Sequence, residues 1–339
     1  MSAGGSPTIC AADVVPVEVS WLWEGWLPKG KLVLLDGNPG CGKTTIALDL
    51  VARLASGRPL PDGNTVEPVV SLILNTEDGM DDTIVPRLIA ADADLDLIHL
   101  WDFGVELPSL SSGARWLEEV VHELGVGLVV IDPLMALLGG GIDSHRDQDV
   151  RRGLNPLVQL GATADTTVLA LRHLTKSGGV SAMNRGMGSI AFTGLARTAL
   201  HAGTHPVNRD QMVFSQVKNN LSKHPRSLLY RIEDRGGRPG VSWEGDCDLL
   251  ADDLVDEQPP TPSVLARSTE WLEEVLAEEP IYCKDVERRA AEAGISTATL
   301  RRAKKDLGVT NVRIDGRSCW SLPAQHAQTQ DLSTLSRSA

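Results

Sequence analysis

The feature that most constrains this chain is the stretch LVLLDGNPGCGKTTIALDL, residues 32–50. It places the pattern G-x-x-x-x-G-K-[ST], residues 37–44, between an apolar run that predicts a β-strand and a segment that predicts a helix. A loop between a strand and a helix can wrap its backbone N–H groups around a phosphate at the positive helix end. The chain is therefore predicted to be an α/β protein that binds a nucleoside triphosphate.

Two residues of this loop have individual roles. We expect Lys43 to reach the β- and γ-phosphates and the Thr44 hydroxyl to bind Mg²⁺. The predicted nucleotide-binding residues are Gly37, Asn38, Pro39, Gly40, Cys41, Gly42, Lys43, Thr44 and Thr45.

Short apolar runs continue to about residue 245, separated by helix-length intervals. This alternation predicts parallel strands with crossover helices. The last two runs lie close together, which predicts an antiparallel extension of the sheet. The runs are KLVLLD, VVSLILN, DLIHLW, GLVVID, TTVLAL, MVFSQV and SLLYRI.

Two strands end in carboxylates. Asp132 ends GLVVID at the sheet edge where α/β proteins bind ligands, so we expect it to hold magnesium directly or through water. Alternatively, it only starts a turn before Pro133. Glu77 ends the predicted strand VVSLILNTED and could orient or deprotonate the attacking water. Asp78 competes for that role, and both acids could instead cap the next helix.

Two further residues are candidates for contact with the γ-phosphate. His173 follows the strand TTVLALR and could report whether the phosphate is present, although a lone histidine is more often structural. Arg197 lies in an apolar segment, where a buried arginine needs a partner. It could serve a neighbouring subunit as an arginine finger or form an internal salt bridge.

Glycine-rich loops follow two of the predicted strands. Residues 175–189 carry Lys176 and Arg185, and a similar loop, GGGIDSHRDQD, follows the strand of Asp132. Both would project from the sheet, where they could meet DNA in a channel. The alternative is an ordinary exposed loop.

The chain is predicted to divide into a flexible N-terminus (1–15), a nucleotide-binding domain (16–245), an acidic proline-rich linker (246–263), a small domain (264–322) and a disordered tail (323–339). The small domain shows three helical segments, the first with a possible cap at Ser268 or Thr269 and the third capped by Ser296. A hairpin signal follows at Asp315-Gly316. This order predicts a winged helix-turn-helix.

The third helix of the small domain is basic. Residues 281–320 hold nine basic and five acidic side chains, within a chain of net charge −13. This segregation favours nucleic acid as the partner, although winged helices also dock proteins. The predicted DNA-binding residues of this helix are Arg301, Arg302, Lys304 and Lys305.

Composition excludes several other classes of protein. The net charge argues against bulk coating of nucleic acid. The five cysteines are scattered without a CxxC pair, which argues against a disulfide framework or a zinc site. Neither a secretory signal nor an apolar run of membrane-spanning length is present, so we expect a soluble cytoplasmic protein without a membrane partner.

Taken together, about residues 15–245 resemble the RecA-like ATPases close to the hexameric replicative helicase RepA of plasmids, a group of AAA-family ATPases. The resemblance depends on WLPKGKLVLLDGNPGCGKTT, LILNTEDGMDDTIVPRL, LVVIDPLMALLGG, LALRHLTKSG and RGMGSIAFTGLARTAL. The small C-terminal domain departs from the minimal plasmid helicase. It looks like the tail of phage- or mobile-element relatives that are found with primase-polymerases.

The resemblance implies roles for the candidate residues. Glu77 would be the catalytic carboxylate, Asp132 the Walker-B acid, His173 the γ-phosphate sensor and Arg197 the finger offered across a subunit interface. It also implies ATP with Mg²⁺, and a ring, commonly a hexamer, around single-stranded DNA.

The leading hypothesis is an ATP-driven DNA motor of the replicative helicase type, with a primase or an initiator as a further partner. The alternative is a DNA-binding regulator or initiator in which ATP switches assembly without unwinding. A small-molecule kinase would not need the C-terminal domain, and a GTPase would need an N-K-x-D motif that is absent.

Overall fold

The structure, a computed structural model, forms two compact units, Met1–Asp256 and Glu257–Ala339. It describes residues 8–102, 110, 114–139, 142–173, 190–254, 264–277, 279–314 and 316–323.

The first unit alternates strands and helices. The strands are β1 (Trp21–Trp23), β2 (Leu27–Pro28), β3 (Leu32–Gly37), β4 (Ser71–Asn75), β5 (Ile98–Leu100), β6 (Leu128–Asp132), β7 (Thr167–His173), β8 (Thr198–Thr204), β9 (Met212–Asn219), β10 (Ser227–Asp234) and β11 (Pro239–Cys247). The helices are α1 (Lys43–Ala55), α2 (Val85–Ala90), α3 (Arg115–Leu124), α4 (Leu134–Leu138), α5 (Asp147–Ala164) and α6 (Ala191–Leu195).

The main sheet has nine strands in the described part of the chain, in the order β11-β10-β9-β8-β3-β7-β6-β4-β5. Strands β8 to β5 in this order are parallel, and β9, β10 and β11 extend the sheet in antiparallel pairs. The predicted α/β fold with a mainly parallel sheet and an antiparallel extension is confirmed. Strands β8 and β11 of this sheet were not predicted from the sequence.

Strand β3 is central because its side chains are apolar on both faces. Val33 and Leu35 pack into the layer that contains α1, whereas Leu32 and Leu34 pack into the layer that contains α5. Such continuous burial is typical of a strand covered by helices on both faces. The loop after β3 therefore leaves the sheet at its middle, between β7 and β8.

One part of the predicted linker is ordered against the first unit. Ala251–Leu254 form a 3₁₀ helix in which Ala251 and Leu254 are buried. The Cβ atom of Leu254 lies 3.1 Å from where a Cβ atom on Gly203 of β8 would stand. Among the described residues, no helix combines the length and the apolar character needed to cross a bilayer.

The second unit contains, in its described residues, three helices and a three-stranded antiparallel sheet of order β12-β14-β13. The three predicted helical segments and the hairpin are present. The predicted cap at Ser268 or Thr269 is wrong, because the first helix begins at Val264. The cap at Ser296 is confirmed, since its hydroxyl accepts from the Thr299 N–H group at 3.2 Å. The elements are α7 (Val264–Val275), β12 (Ile281–Tyr282), α8 (Cys283–Glu292), α9 (Thr297–Asp306), β13 (Thr310–Ile314) and β14 (Arg317–Ser321).

Candidate nucleotide-binding site

The glycine-rich loop joins the end of β3 to the start of α1, as the sequence predicts. Gly40 and Gly42 have φ angles of +83° and +80°, which side chains other than glycine rarely adopt. A Cβ atom on Gly42 would also lie 2.6 Å from the Cδ1 atom of Ile232. Gly42 precedes the first residue of α1 and offers no side chain to cap it. The N–H groups of that turn are thus suited to an anion.

Lys43 lies at the centre of the loop. Its side chain is buried, and its ammonium group donates to the carbonyl groups of Gly37 and Asn38 at 2.9 and 3.1 Å. The same nitrogen lies 3.2 Å from Nδ1 of His173, the last residue of β7. Gly37 and His173 are partners in the parallel register of β3 and β7. The predicted phosphate-binding lysine and the predicted sensor are therefore in contact.

Thr44 and Asp132 are also brought together. The Thr44 hydroxyl donates to the Asp132 carboxylate at 2.5 Å, although 88 residues separate them. Burial raises the pKa of Asp132, the hydrogen bond from Thr44 opposes this, and the charge of Glu77 raises it further. The charges of Lys43 and His173 lower that pKa, so all five groups share one electrostatic environment.

These groups fit a magnesium ion. A hydroxyl and a carboxylate are hard oxygen ligands of the kind Mg²⁺ takes, and a cation would offset the burial of Asp132. The described residues contain no cluster of three or more His, Cys, Asp or Glu side chains that could hold a metal ion alone. Phosphate oxygens would therefore complete the coordination, as is usual for magnesium at nucleotide sites.

Glu77 and Asp78 follow the end of β4 in different surroundings. The Asn75 side-chain carbonyl accepts from both of their N–H groups, at 2.9 and 2.8 Å, and so fixes the turn. Glu77 is exposed, whereas Asp78 pairs with Arg87 at 3.3 Å. The alternative that both acids cap the next helix is wrong, because no side chain caps the turn that begins after Gly79.

Two buried contacts that were not predicted from the sequence support the site. Arg172 forms a buried ion pair with Asp36, with bonds of 2.9 and 2.6 Å. The Tyr230 hydroxyl of β10 donates to the carbonyl group of Cys41 in the loop at 2.7 Å. A signal for the first contact was available, since Asp36 and Arg172 are charged residues in otherwise apolar strands. Nothing in the sequence indicated which residue Tyr230 contacts.

Arg197 lies away from this site. Its N–H group donates to the carbonyl group of Leu32 at 3.1 Å, at the start of β3, whereas the loop follows the end of that strand. Five residues of strand place the two ends about 16 Å apart. The interpretation of Arg197 as a buried residue is wrong, because its side chain is exposed. No ion pair of Arg197 is found among the described residues, so the alternative of an internal salt bridge is not supported.

The predicted DNA-binding residues divide into three groups. Lys176 and Arg185 lie outside the described residues. Arg301, Arg302 and Lys305 are exposed on α9. Lys304 is half-buried, because its ammonium group donates to Asn311 at 2.7 Å and lies 4.1 Å from the centre of the Trp320 ring. Burial also lowers the pKa of Lys304. Lys304 therefore makes contacts with other residues of the second unit that stabilise it.

Comparison with known proteins agrees with this geometry. The AAA domain family matches residues 9–179, half of the chain, and the chain belongs to this family. The DNA repair protein RadA of Bacillus subtilis (strain 168) is 24% identical over 163 residues, which are 46% of this chain and 31% of RadA. The chain thus spans about a third of the length of that relative. The predicted P-loop ATPase is confirmed, and the family implies ATP binding, typically with Mg²⁺.

Proposed function

We propose that the chain is an ATP-hydrolysing motor of the replicative helicase type that acts on DNA. The observation that carries the proposal is the convergence of Lys43, Thr44, Asp132 and His173 at one edge of the sheet, with the charge of Glu77 acting on the same site. ATP hydrolysis requires residues that bind the phosphates, an acidic residue that helps to bind Mg²⁺ and a second carboxylate that orients the attacking water. These residues supply all three.

Each residue has a part in the reaction. Magnesium, when bound with ATP, neutralises charge on the phosphates. Lys43 exchanges its two carbonyl partners for the β- and γ-phosphates, and Thr44 and Asp132 would hold the metal. Glu77 orients the attacking water and accepts its proton. His173, beside Lys43, responds to the presence of the γ-phosphate.

Arg197 supports an assembly of several copies. Its side chain is exposed, and its backbone lies beside the first residue of β3, so it is far from the loop of its own chain. In a ring, commonly a hexamer, it would reach the γ-phosphate of a neighbouring copy as an arginine finger. An arginine finger stabilises transition-state charge and accelerates hydrolysis by about 10³–10⁵-fold.

DNA as the substrate is supported by the similarity to RadA, which is named as a DNA repair protein, and by the sequence resemblance to the RepA group. In this proposal Lys176 and Arg185 contact a single strand in the ring channel. We further propose that residues 16–245 are the nucleotide-binding domain and that residues 264–322 form a winged helix. The protein is of plasmid, phage or mobile-element origin and works with a primase or an initiator.

A DNA-binding regulator or initiator is the second candidate. Arg301, Arg302 and Lys305 form an exposed basic face on α9, a helix whose N-terminus carries a side-chain cap. A basic helix in this position is suited to phosphates or to the major groove of duplex DNA. In this function ATP would switch assembly, and the chain would not unwind DNA.

Steady-state ATP hydrolysis separates the two functions. It is measured without DNA, with single-stranded DNA and with duplex, for the wild type, Glu77→Gln and the control Asp78→Asn. We expect single strands to stimulate the wild type, and Glu77→Gln to lower the rate by about 10²–10⁴-fold while ATP still binds. Asp78→Asn should keep most of its activity, because its carboxylate pairs with Arg87.

Two results together would contradict the motor function and support the regulator: a rate of hydrolysis that single-stranded DNA does not change, and tight binding of duplex DNA that depends on α9. If Asp78→Asn abolished hydrolysis and Glu77→Gln did not, the assignment of the catalytic carboxylate would be wrong although the motor could stand.

A further inference from the structure

A buried ion pair lies next to the nucleotide site, one residue before the ends of β3 and β7. Asp36 and Arg172 are partners in the register of β3 and β7, and their side chains are 4% and 1% exposed. Two hydrogen bonds of 2.9 and 2.6 Å join them. The residues that follow are Gly37 and His173, and both contact the Lys43 ammonium group. The pair therefore fixes the two strand ends that meet the phosphate-binding lysine.

Arg172 also reaches α6. Its Nη2 atom donates to the Thr193 hydroxyl oxygen at 3.4 Å, and its guanidinium carbon lies 4.7 Å from the centre of the Phe192 ring. Replacing a buried ion pair by apolar side chains of similar volume is often neutral or stabilising, so a purely structural role is not required to explain the pair. A guanidinium group has several donors in a rigid plane and can hold a strand and a separate helix at once.

The other end of α6 is held by Lys218 of β9. Its ammonium group donates to the carbonyl groups of Thr193, Gly194 and Ala196 at 2.9, 3.0 and 2.9 Å. Ala196 immediately precedes Arg197, so the Lys218 ammonium group lies beside the backbone that leads into Arg197. Burial lowers the pKa of Lys218, and the positive charge of Arg197 lowers it further. Helix α6 therefore contacts Arg172 through Phe192 and Thr193, and its carboxyl-terminal end leads directly to Arg197.

We propose that Arg172 is a positioning residue that couples the nucleotide site of its own chain to Arg197 through α6. The inference rests on the proposed function, in which Arg197 serves the ATP of a neighbouring copy. A shift of His173 or Gly37 on loss of the γ-phosphate passes through Arg172 to Thr193, and so to the backbone that carries Arg197. The state of one ATP site thereby affects hydrolysis at the next.

The substitution Thr193→Val tests this coupling, because it removes the acceptor that Arg172 uses on α6 and keeps a branched side chain. Steady-state hydrolysis with single-stranded DNA and equilibrium ATP binding are measured for Thr193→Val, Arg197→Ala and the double variant. We expect Thr193→Val to lower kcat about fivefold, the effect of losing one typical hydrogen bond, with ATP affinity unchanged. Arg172→Lys, which keeps the charge opposite Asp36 but loses the planar fork, should behave in the same way.

The double variant decides whether Thr193 acts through Arg197. Substitutions that act on one element are not additive, so we expect Thr193→Val to have no further effect on the residual rate of Arg197→Ala, measured at high enzyme concentration. A full fivefold effect in that background, or a lower ATP affinity with a lower Tm, would indicate a structural role and overturn the inference.

The two proposals can fail separately. If Arg197→Ala abolishes hydrolysis and Thr193→Val leaves kcat unchanged, the proposed coupling is wrong, whereas the role of Arg197 as an arginine finger is supported. If Arg197→Ala keeps the wild-type rate, the finger itself is wrong, and the coupling falls with it.

Discussion

The hydroxyl group of Tyr230 offers a sharp test of how the sheet extension supports the nucleotide loop. Tyr230 is fully buried, and its hydroxyl donates to the carbonyl group of Cys41 at 2.7 Å. Burial raises the pKa of Tyr230 well above its usual range, so the hydroxyl remains a donor across the working pH range. The ring also packs against Trp243, with ring centres 5.6 Å apart. Tyr230→Phe would remove the donor and keep this packing.

The expected magnitude follows from the burial of the Cys41 carbonyl group. A typical hydrogen bond contributes about 1 kcal/mol to stability, and an unsatisfied buried acceptor costs about 1–3 kcal/mol. We expect Tyr230→Phe to lower the free energy of unfolding by about 1–2 kcal/mol. Because the freed carbonyl belongs to the loop that binds phosphate, ATP affinity should fall by about five- to tenfold.

Urea unfolding measures the first effect, and equilibrium binding of a fluorescent ATP analogue measures the second. Trp243→Phe is the matched control, because it removes the hydrogen bond from the indole N–H group to Asp49 of α1 at 2.8 Å and leaves the hydrogen bond from Tyr230 to the loop in place. The control should lose stability and keep its ATP affinity. If Tyr230→Phe loses stability but binds ATP as the wild type does, the loop does not depend on this hydroxyl group and the reasoning is refuted.

Three further predictions concern other parts of the molecule. Asp36→Asn leaves a buried guanidinium group without its carboxylate and should lower the free energy of unfolding by about 3–5 kcal/mol, and a loss below about 1 kcal/mol in urea would contradict the buried ion pair. Burial raises the pKa of Cys41, so the thiolate becomes scarcer at neutral pH, and mass spectrometry should find alkylation slower there than at exposed Cys10 and faster as pH rises. Equal labelling rates would refute this. Arg301→Glu should weaken duplex binding with little change in Tm, whereas Lys304→Met should lower the Tm of the second unit, and the opposite pattern in titration and thermal unfolding would contradict the contacts of α9.

The sequence by itself determined the features that depend on near neighbours. The strand, loop and helix around residues 37–44 are encoded in one continuous stretch, and Ser296 was recognisable as a cap from its place before a helical segment. Five of the six parallel strands were predictable because most of their side chains are apolar, and residues at their carboxyl-terminal ends were predicted as ligands. Strand β8 was missed because its sequence, TALHAGT, lacks a run of large apolar side chains, and its burial depends on pairing with β3 and β9.

Only the tertiary structure decided which distant residues meet. Asp36 and Arg172 are 136 residues apart in sequence, and Tyr230 is 189 residues from Cys41. These contacts follow from strand order and register, which depend on how the whole sheet is assembled and not on local sequence. The same reason applies to Lys304, whose charge suggested a surface role until Trp320 of β14 was seen beside it. Sequence identifies residue types with a chemical capacity, and packing determines which of them are free to use it.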